Sequence, residues 1–69
     1  MPKVKIILNG EEAMVDQSIS IETLIRQLNL DSKKIAVEKD GEIADYSNFS
    51  EIILSEGSRI EIVHFIGGG

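Results

Sequence analysis

The residues with the clearest chemical potential are three consecutive glycines, Gly67, Gly68 and Gly69, which follow a strand-like segment at residues 59–66. A glycine run has no side chains to pack, and it loses the most backbone entropy when it becomes ordered. The run is therefore either a linker-like end or a segment suited to a narrow site with no room for a Cβ atom. Three extended residues span about 10 Å, which is the depth of a site that such a segment can enter.

The other residue types that carry chemistry form no catalytic or metal-binding pattern. His64 is the only histidine, and a metal site or a nucleophilic triad would need further ligands or a nucleophile at matching positions. The chain contains no cysteine, which excludes a disulfide, a thiolate metal site and a thiol nucleophile on this chain. We therefore expect no metal, no independent enzymatic activity, and a packed or docking role for His64.

Composition predicts one small domain that binds neither nucleic acid nor membrane. The 69 residues include 12 acidic and 7 basic side chains, and the formal net charge of −5 disfavours binding to phosphate backbones. No segment approaches the roughly 20 apolar residues that a membrane span needs, and no apolar signal stretch is seen. We expect a cytoplasmic protein with a domain at residues 1–66 and a flexible glycine tail at residues 67–69.

Five segments are rich in β-branched residues or alternate in polarity, as strands do: 4–8, 11–15, 35–39, 42–44 and 59–66. Asn9-Gly10 separates the first two, and Asp40-Gly41 separates the next two. Both dipeptides favour the positive φ angles of tight hairpin turns. The sequence therefore predicts two hairpins and a final strand that follows a turn at residues 56–58.

One helix is predicted between the hairpins. Its apolar residues recur at i, i+3, i+4 and i+7, which is one stripe of an α-helix: Ile21, Leu24, Ile25 and Leu28. Ser20 is placed to cap the first turn, Asn29 suits a left-handed position after the last turn, and Leu30 can fold back on the stripe. Residues 46–53 are irregular, and we expect them to place Phe49 beneath the sheet.

The order β-β-α-β-β-β implies an α+β fold in which a mixed sheet of four to five strands packs on one helix. That arrangement is the β-grasp, or ubiquitin-like, architecture. In this architecture the first strand lies centrally and the last strand pairs parallel beside it, although periodicity alone allows other sheet orders.

Over its whole length the chain resembles the ThiS family, the bacterial sulfur-carrier proteins of thiamine biosynthesis. The matching residues are 5–11, Ile25, Leu28, Leu30, 36–38, 42–43, 56–57 and 60–69. A bare Gly-Gly end is a weak indication, but one that follows His64-Phe65 in a chain of this length and strand order is specific. Asp40 and residues 44–47 depart from the family, which often has an Asn and then a Val-Pro-Arg-Ser run there. If this loop touches a partner, its contacts differ in detail, but the chemistry of the glycine end does not depend on it.

The resemblance implies that the carboxylate of Gly69 is the reacting group. In that family an adenylating enzyme of the ThiF type uses ATP and Mg²⁺ to convert the carboxylate into an acyl-adenylate. Persulfide sulfur from a cysteine desulfurase system then displaces AMP and leaves a thiocarboxylate, which donates its sulfur to thiazole synthase. ATP and Mg²⁺ belong to the partner enzyme, and this chain is expected to bind no cofactor itself.

We expect the partner-binding residues at the end of the last strand and in the tail: Glu61, His64, Phe65, Ile66, Gly67 and Gly68. By alternation, Phe65 points away from Ile60, Ile62 and His64, and it either packs or serves as an exposed anchor. Glu61 lies on the opposite face from Ile60 and Ile62, where we expect an acidic docking surface.

Three other functions stay open on sequence alone. A carrier for molybdopterin synthesis also ends in Gly-Gly, although those relatives are typically longer and lack the His-Phe ending. A ubiquitin-like modifier would be joined through Gly69 to lysines of other proteins. A passive binding module would make no use of its glycine tail.

Overall fold

The chain forms a mixed five-stranded sheet with one helix on one face. The computed structural model describes residues 2–65. Its elements are the strands β1 (Lys3–Leu8), β2 (Glu11–Asp16), β3 (Ile35–Lys39), β4 (Glu42–Ala44) and β5 (Arg59–His64), the helix α1 (Ile21–Gln27), and 3₁₀ turns at Ser32–Lys34 and Tyr46–Asn48.

The strand order is β2-β1-β5-β3-β4, so β5 lies at the centre of the sheet. It pairs parallel with β1, where Leu8 lies beside Ile60, and antiparallel with β3, where Val37 lies opposite Ile62. The edge strands β2 and β4 complete the two hairpins. The predicted β-grasp arrangement, with its central parallel pair, is confirmed, and it places the strand that precedes the glycines between two neighbours.

Both predicted hairpin turns are present. Asn9 and Gly10 have φ angles of 51° and 84°, and Asp40 and Gly41 have φ angles of 52° and 87°. Two successive positive φ angles are the mark of a type I′ turn, whose twist matches that of the flanking strands. The dipeptides therefore fix the register of each hairpin.

The helix begins and ends as its sequence predicts. The Ser20 hydroxyl oxygen accepts a hydrogen bond from the Thr23 N–H at 3.1 Å. At the other end Asn29 has a φ of 59°, and the Leu30 N–H donates to the Ile25 carbonyl at 3.1 Å. This bond closes a Schellman motif, which satisfies carbonyls that the helix would otherwise leave free.

The core lies between α1 and the inner face of the sheet. Its buried residues are Ile6, Val15, Ile21, Leu24, Ile25, Ile35, Val37, Ala44, Phe49, Leu54, Ile60 and Ile62. Phe49 is buried as expected. Leu28 was predicted to lie on the apolar stripe of the helix, and that prediction is wrong. The helix ends at Gln27, so Leu28 is the capping residue, and 40% of it is exposed. Within residues 2–65, no helix is long and apolar enough to cross a membrane.

Candidate functional site

The candidate site is the end of β5 together with the outer face of the sheet, which is the face opposite α1. Burial alternates along β5, because Ile60 and Ile62 face the core while Glu61 and Val63 are exposed on the outer face. His64, opposite Ile35 in β3, is exposed at the end of the strand. A packed role for His64 is therefore wrong, and its docking role stays a prediction.

Phe65 has a fixed backbone and an accessible ring. Its N–H donates to the Lys34 carbonyl at 3.0 Å, which continues the attachment of β5 to the β3 side of the sheet. The residue is nevertheless 57% exposed. Of the two interpretations of Phe65, the structure supports the exposed one.

The remaining predicted site residues, Ile66, Gly67, Gly68 and Gly69, lie outside the described residues. Their roles stay predictions. Among residues 2–65, no group of three His, Asp or Glu side chains is arranged to hold a metal ion.

An open groove borders Phe65, and we call it the Phe65 groove. Its lining comes from β3, β4 and the 3₁₀ turn at Tyr46–Asn48: Ile35, Ala36, Ile43, Ala44, Asp45, Tyr46, Phe49 and Phe65. Ile43 is 76% exposed on the outer face, and the Tyr46 ring meets the Phe49 ring edge to face with centroids 5.6 Å apart. The loop that departs from the family pattern, residues 44–47, therefore forms one wall of this groove.

Two acidic residues face each other beside the groove. Glu38 of β3 lies directly opposite Glu61 of β5, and both are exposed. Like charges at opposite positions of a sheet destabilise it. Within the part of the chain that the structure describes, ion pairs join Lys3 to Asp16 and Lys5 to Glu12, and no ion pair includes Glu38 or Glu61. Glu38 and Glu61 form an acidic pair, which we call the acidic patch, and the docking role of Glu61 stays a prediction.

The β3–β4 turn holds the beginning of β5. Asp40 Oδ1 accepts a hydrogen bond from the Arg59 N–H at 2.9 Å, and the Asp40 N–H donates to the Arg59 carbonyl at 2.8 Å. Lys39 Nζ lies 3.0 Å from Asp40 Oδ2. The Arg59 N–H and, after it, the Lys39 ammonium hold the pKa of the Asp40 carboxyl below its usual value.

The comparison with protein families agrees with this geometry. The model of the ThiS family matches residues 3–69, which include every strand, the helix and the glycine run. The chain belongs to the ThiS family.

Two relatives of this ThiS-family chain are longer proteins. It is 41% identical over 66 residues to a thiazole synthase of Paramagnetospirillum magneticum, and 36% identical over 66 residues to a thiazole synthase of Magnetococcus marinus. Each alignment covers 96% of this chain and 20% of the relative, so the chain spans about a fifth of the length of these two proteins.

Other ThiS proteins match over their whole length. The sulfur carrier protein ThiS of Bacillus subtilis is 35% identical over 63 residues, which cover 90% of this chain and 96% of that protein. The crystal structure of a thiamine biosynthesis protein (ThiS) from Geobacter metallireducens superposes with a TM-score of 0.83 at 26% identity. That superposition covers 96% of this chain and 100% of the other, so it supports the β-grasp assignment for the whole fold.

Sequence reasoning missed one residue at this ThiS-like site. Asn9 was assigned to a hairpin turn only, yet its side-chain oxygen Oδ1 also accepts a hydrogen bond from the Ile62 N–H at 2.8 Å. Asparagine is a side-chain acceptor as well as a turn residue, which is the one signal that the sequence offers. The donor lies 53 positions away, so only the sheet order brings the two residues together.

Proposed function

We propose that this chain is a sulfur carrier in thiamine biosynthesis that is activated at the carboxylate of Gly69. The observation that carries the proposal is the match to the ThiS family, which extends through residue 69 and therefore includes the glycine run. The chain acts as a protein co-substrate, while its partners supply the catalytic groups.

The chemistry begins with activation, because a carboxylate is a poor acyl donor. A carboxylate oxygen of Gly69 attacks the α-phosphorus of ATP on a ThiF-type enzyme, where Mg²⁺ neutralises the phosphate charge and pyrophosphate leaves. A persulfide sulfur from a desulfurase system then attacks the acyl carbon and displaces AMP. A second thiol then attacks the donor's sulfur and breaks the S–S bond, which leaves the thiocarboxylate on Gly69 and a disulfide between the donor and the second thiol. Because activation consumes ATP, we place these reactions in the cytoplasm.

Thiazole synthase is the proposed acceptor of the sulfur. Two proteins named thiazole synthase contain a segment that is similar to almost all of this chain. A carrier segment within such a protein raises its effective concentration at a site in the same molecule. We propose that the separate chain forms the corresponding contact between two molecules.

The docking surface in this proposal is the Phe65 groove together with the acidic patch of Glu38 and Glu61. The groove borders Phe65, and the acidic patch lies on the outer face of the same strand at Glu61, so a partner that receives the glycine tail also faces them. A matching partner presents an apolar side chain to the groove and a basic side chain to the two carboxylates, which lack an ion-pair partner within residues 2–65. The tail occupies one cleft at a time, so the adenylating enzyme and thiazole synthase compete for this surface.

Genetic complementation tests the proposal. We expect a strain that lacks this gene to need thiamine for growth, and the full chain to restore growth without it. A chain that lacks Gly69 moves its carboxylate back by about 3.5 Å and fails to restore growth. Met14→Ala, an exposed change on the edge strand β2, is the matched control and restores growth fully. Growth of the deletion strain without thiamine, or rescue by the chain without Gly69, would overturn the proposal.

A further inference from the structure

The strand that precedes the glycines extends beyond its neighbour β1. The parallel pairing of β1 with β5 ends at Leu8, because the chain reverses at Asn9-Gly10. The Asn9 N–H still donates to the Ile60 carbonyl at 2.8 Å. In a regular parallel ladder the next bond would join the Ile62 N–H to the backbone carbonyl of residue 9.

The Asn9 side chain supplies the acceptor for that next bond. The Ile62 N–H donates to Asn9 Oδ1 at 2.8 Å in a partly buried position. The left-handed φ of 51° at Asn9 lets the backbone enter the hairpin turn while its side chain remains against β5. The ladder on the β1 side thus extends by one bond beyond the end of β1.

This bond is the last one that we find on the β1 side of β5 within residues 2–65. On the β3 side, attachment continues to the bond between the Phe65 N–H and the Lys34 carbonyl. Residues 63–65 directly follow this last bonded position, and two of them, Val63 and Phe65, are exposed. Without Asn9 Oδ1, the last hydrogen bond on the β1 side would be the one at Ile60, and residues 61–65 would be held from the β3 side only.

We infer that Asn9 is a positioning residue for the reacting end of the carrier. Its side-chain oxygen fixes Ile62, and through Ile62 it sets the direction of residues 63–65, which carry the docking side chains. A segment that is already held in one direction loses less freedom when a partner captures it. Asn9 touches no reacting atom, and this inference rests on the proposed function.

Two substitutions separate the side-chain acceptor from the turn. Asn9→Gly keeps a residue that accepts positive φ but removes the acceptor. Asn9→Asp keeps both the acceptor and the tolerance of positive φ. Asn29→Gly is the matched control, because Asn29 also has a positive φ, of 59°, and lies at the end of α1.

The functional readout is pyrophosphate release by the ThiF-type enzyme as a function of carrier concentration, at a temperature where every variant is folded. We expect Asn9→Gly to raise KM about five- to tenfold with little change in kcat, and Asn9→Asp to stay within about twofold of wild type. Asn29→Gly leaves KM unchanged. A purely structural role for Asn9 would instead lower the melting temperature and leave KM at the wild-type value.

Amide hydrogen exchange gives a second, independent readout. We expect Asn9→Gly to speed exchange at Ile62 and Phe65 selectively, while the amides of β3 opposite β4 keep their protection. A wild-type KM together with unchanged exchange at Ile62 would overturn the inference. If the wild-type chain supports no pyrophosphate release at all, the proposed function fails, and exchange at Ile62 still decides whether Asn9 holds the strand.

Discussion

Phe65 combines a hydrogen-bonded backbone with a ring that is 57% exposed, and this combination makes its role testable. We predict that Phe65→Ala changes the free energy of unfolding by less than about 0.5 kcal/mol, because little packing is lost. The same change should raise KM for the adenylating enzyme about tenfold, as truncation of an aromatic interface residue typically does. Denaturant unfolding and pyrophosphate release measure the two effects.

Met14→Ala is the control for this prediction. Met14 is 61% exposed and lies on the outer face at the far edge of the sheet, opposite Lys5. It should alter neither stability nor KM. Equal effects of the two substitutions on KM would show that Phe65 has no special part in docking.

The lowered pKa of Asp40 makes the free energy of unfolding depend on pH. Its folded-state pKa lies below the ordinary value of 3.8, mainly because its carboxylate accepts the Arg59 N–H. The unfolded chain therefore binds more protons between the two pKa values. The stability that this carboxylate contributes is complete above 3.8 and is lost as the pH falls through the folded-state pKa.

Asp40→Asn isolates this effect, because it keeps a side-chain oxygen for the Arg59 N–H but does not titrate. We expect the urea midpoint of wild type to fall relative to that of Asp40→Asn as the pH drops from about 5 to about 2. A difference between the midpoints that stays constant over this range would contradict the prediction.

At the scale of elements, the stability of the seven-residue helix α1 depends on the hydrogen bonds that cap its two ends. We predict that Ser20→Ala lowers the free energy of unfolding by about 1 kcal/mol, because the Thr23 N–H loses its acceptor. Ser20→Asp, which keeps an acceptor, should stay close to wild type. Thermal or urea unfolding measures both variants.

Ser20 lines neither the Phe65 groove nor the outer face that carries Glu38 and Glu61, so the Ser20 variants also serve as a functional control. While they remain folded, we expect their KM for the adenylating enzyme to match that of wild type. A raised KM for folded Ser20→Ala would mean that α1 takes part in docking.

The elements also show how far the sequence could predict the fold and where it could not. The turns at Asn9-Gly10 and Asp40-Gly41 were predictable, because few residues accept two successive positive φ angles. The exposure of Leu28 was not predictable from its place on the apolar stripe, since it depends on where the helix ends. The bond from Ile62 to Asn9 and the pairing of Glu38 with Glu61 depend on sheet order, which periodicity alone leaves open.

At the scale of the whole molecule, the central strand β5 leads into exposed residues, Val63, His64 and Phe65. β5 is hydrogen-bonded to β1 on one side and to β3 on the other. The Asp40 and Asn9 side chains add hydrogen bonds to the Arg59 and Ile62 N–H groups of the same strand. The groove borders Phe65 just after β5, and the acidic patch lies on the outer face at the middle of the same strand.

The most direct measurement is the intact mass of the chain after reaction with a ThiF-type enzyme, ATP, Mg²⁺ and a persulfide source. We expect a mass increase equal to the replacement of one oxygen by sulfur, located in the peptide that ends at Gly69. The increase should disappear without ATP and in the chain that lacks Gly69. An unchanged mass, while the Bacillus subtilis ThiS is converted in the same mixture, would contradict the proposal that this chain carries sulfur.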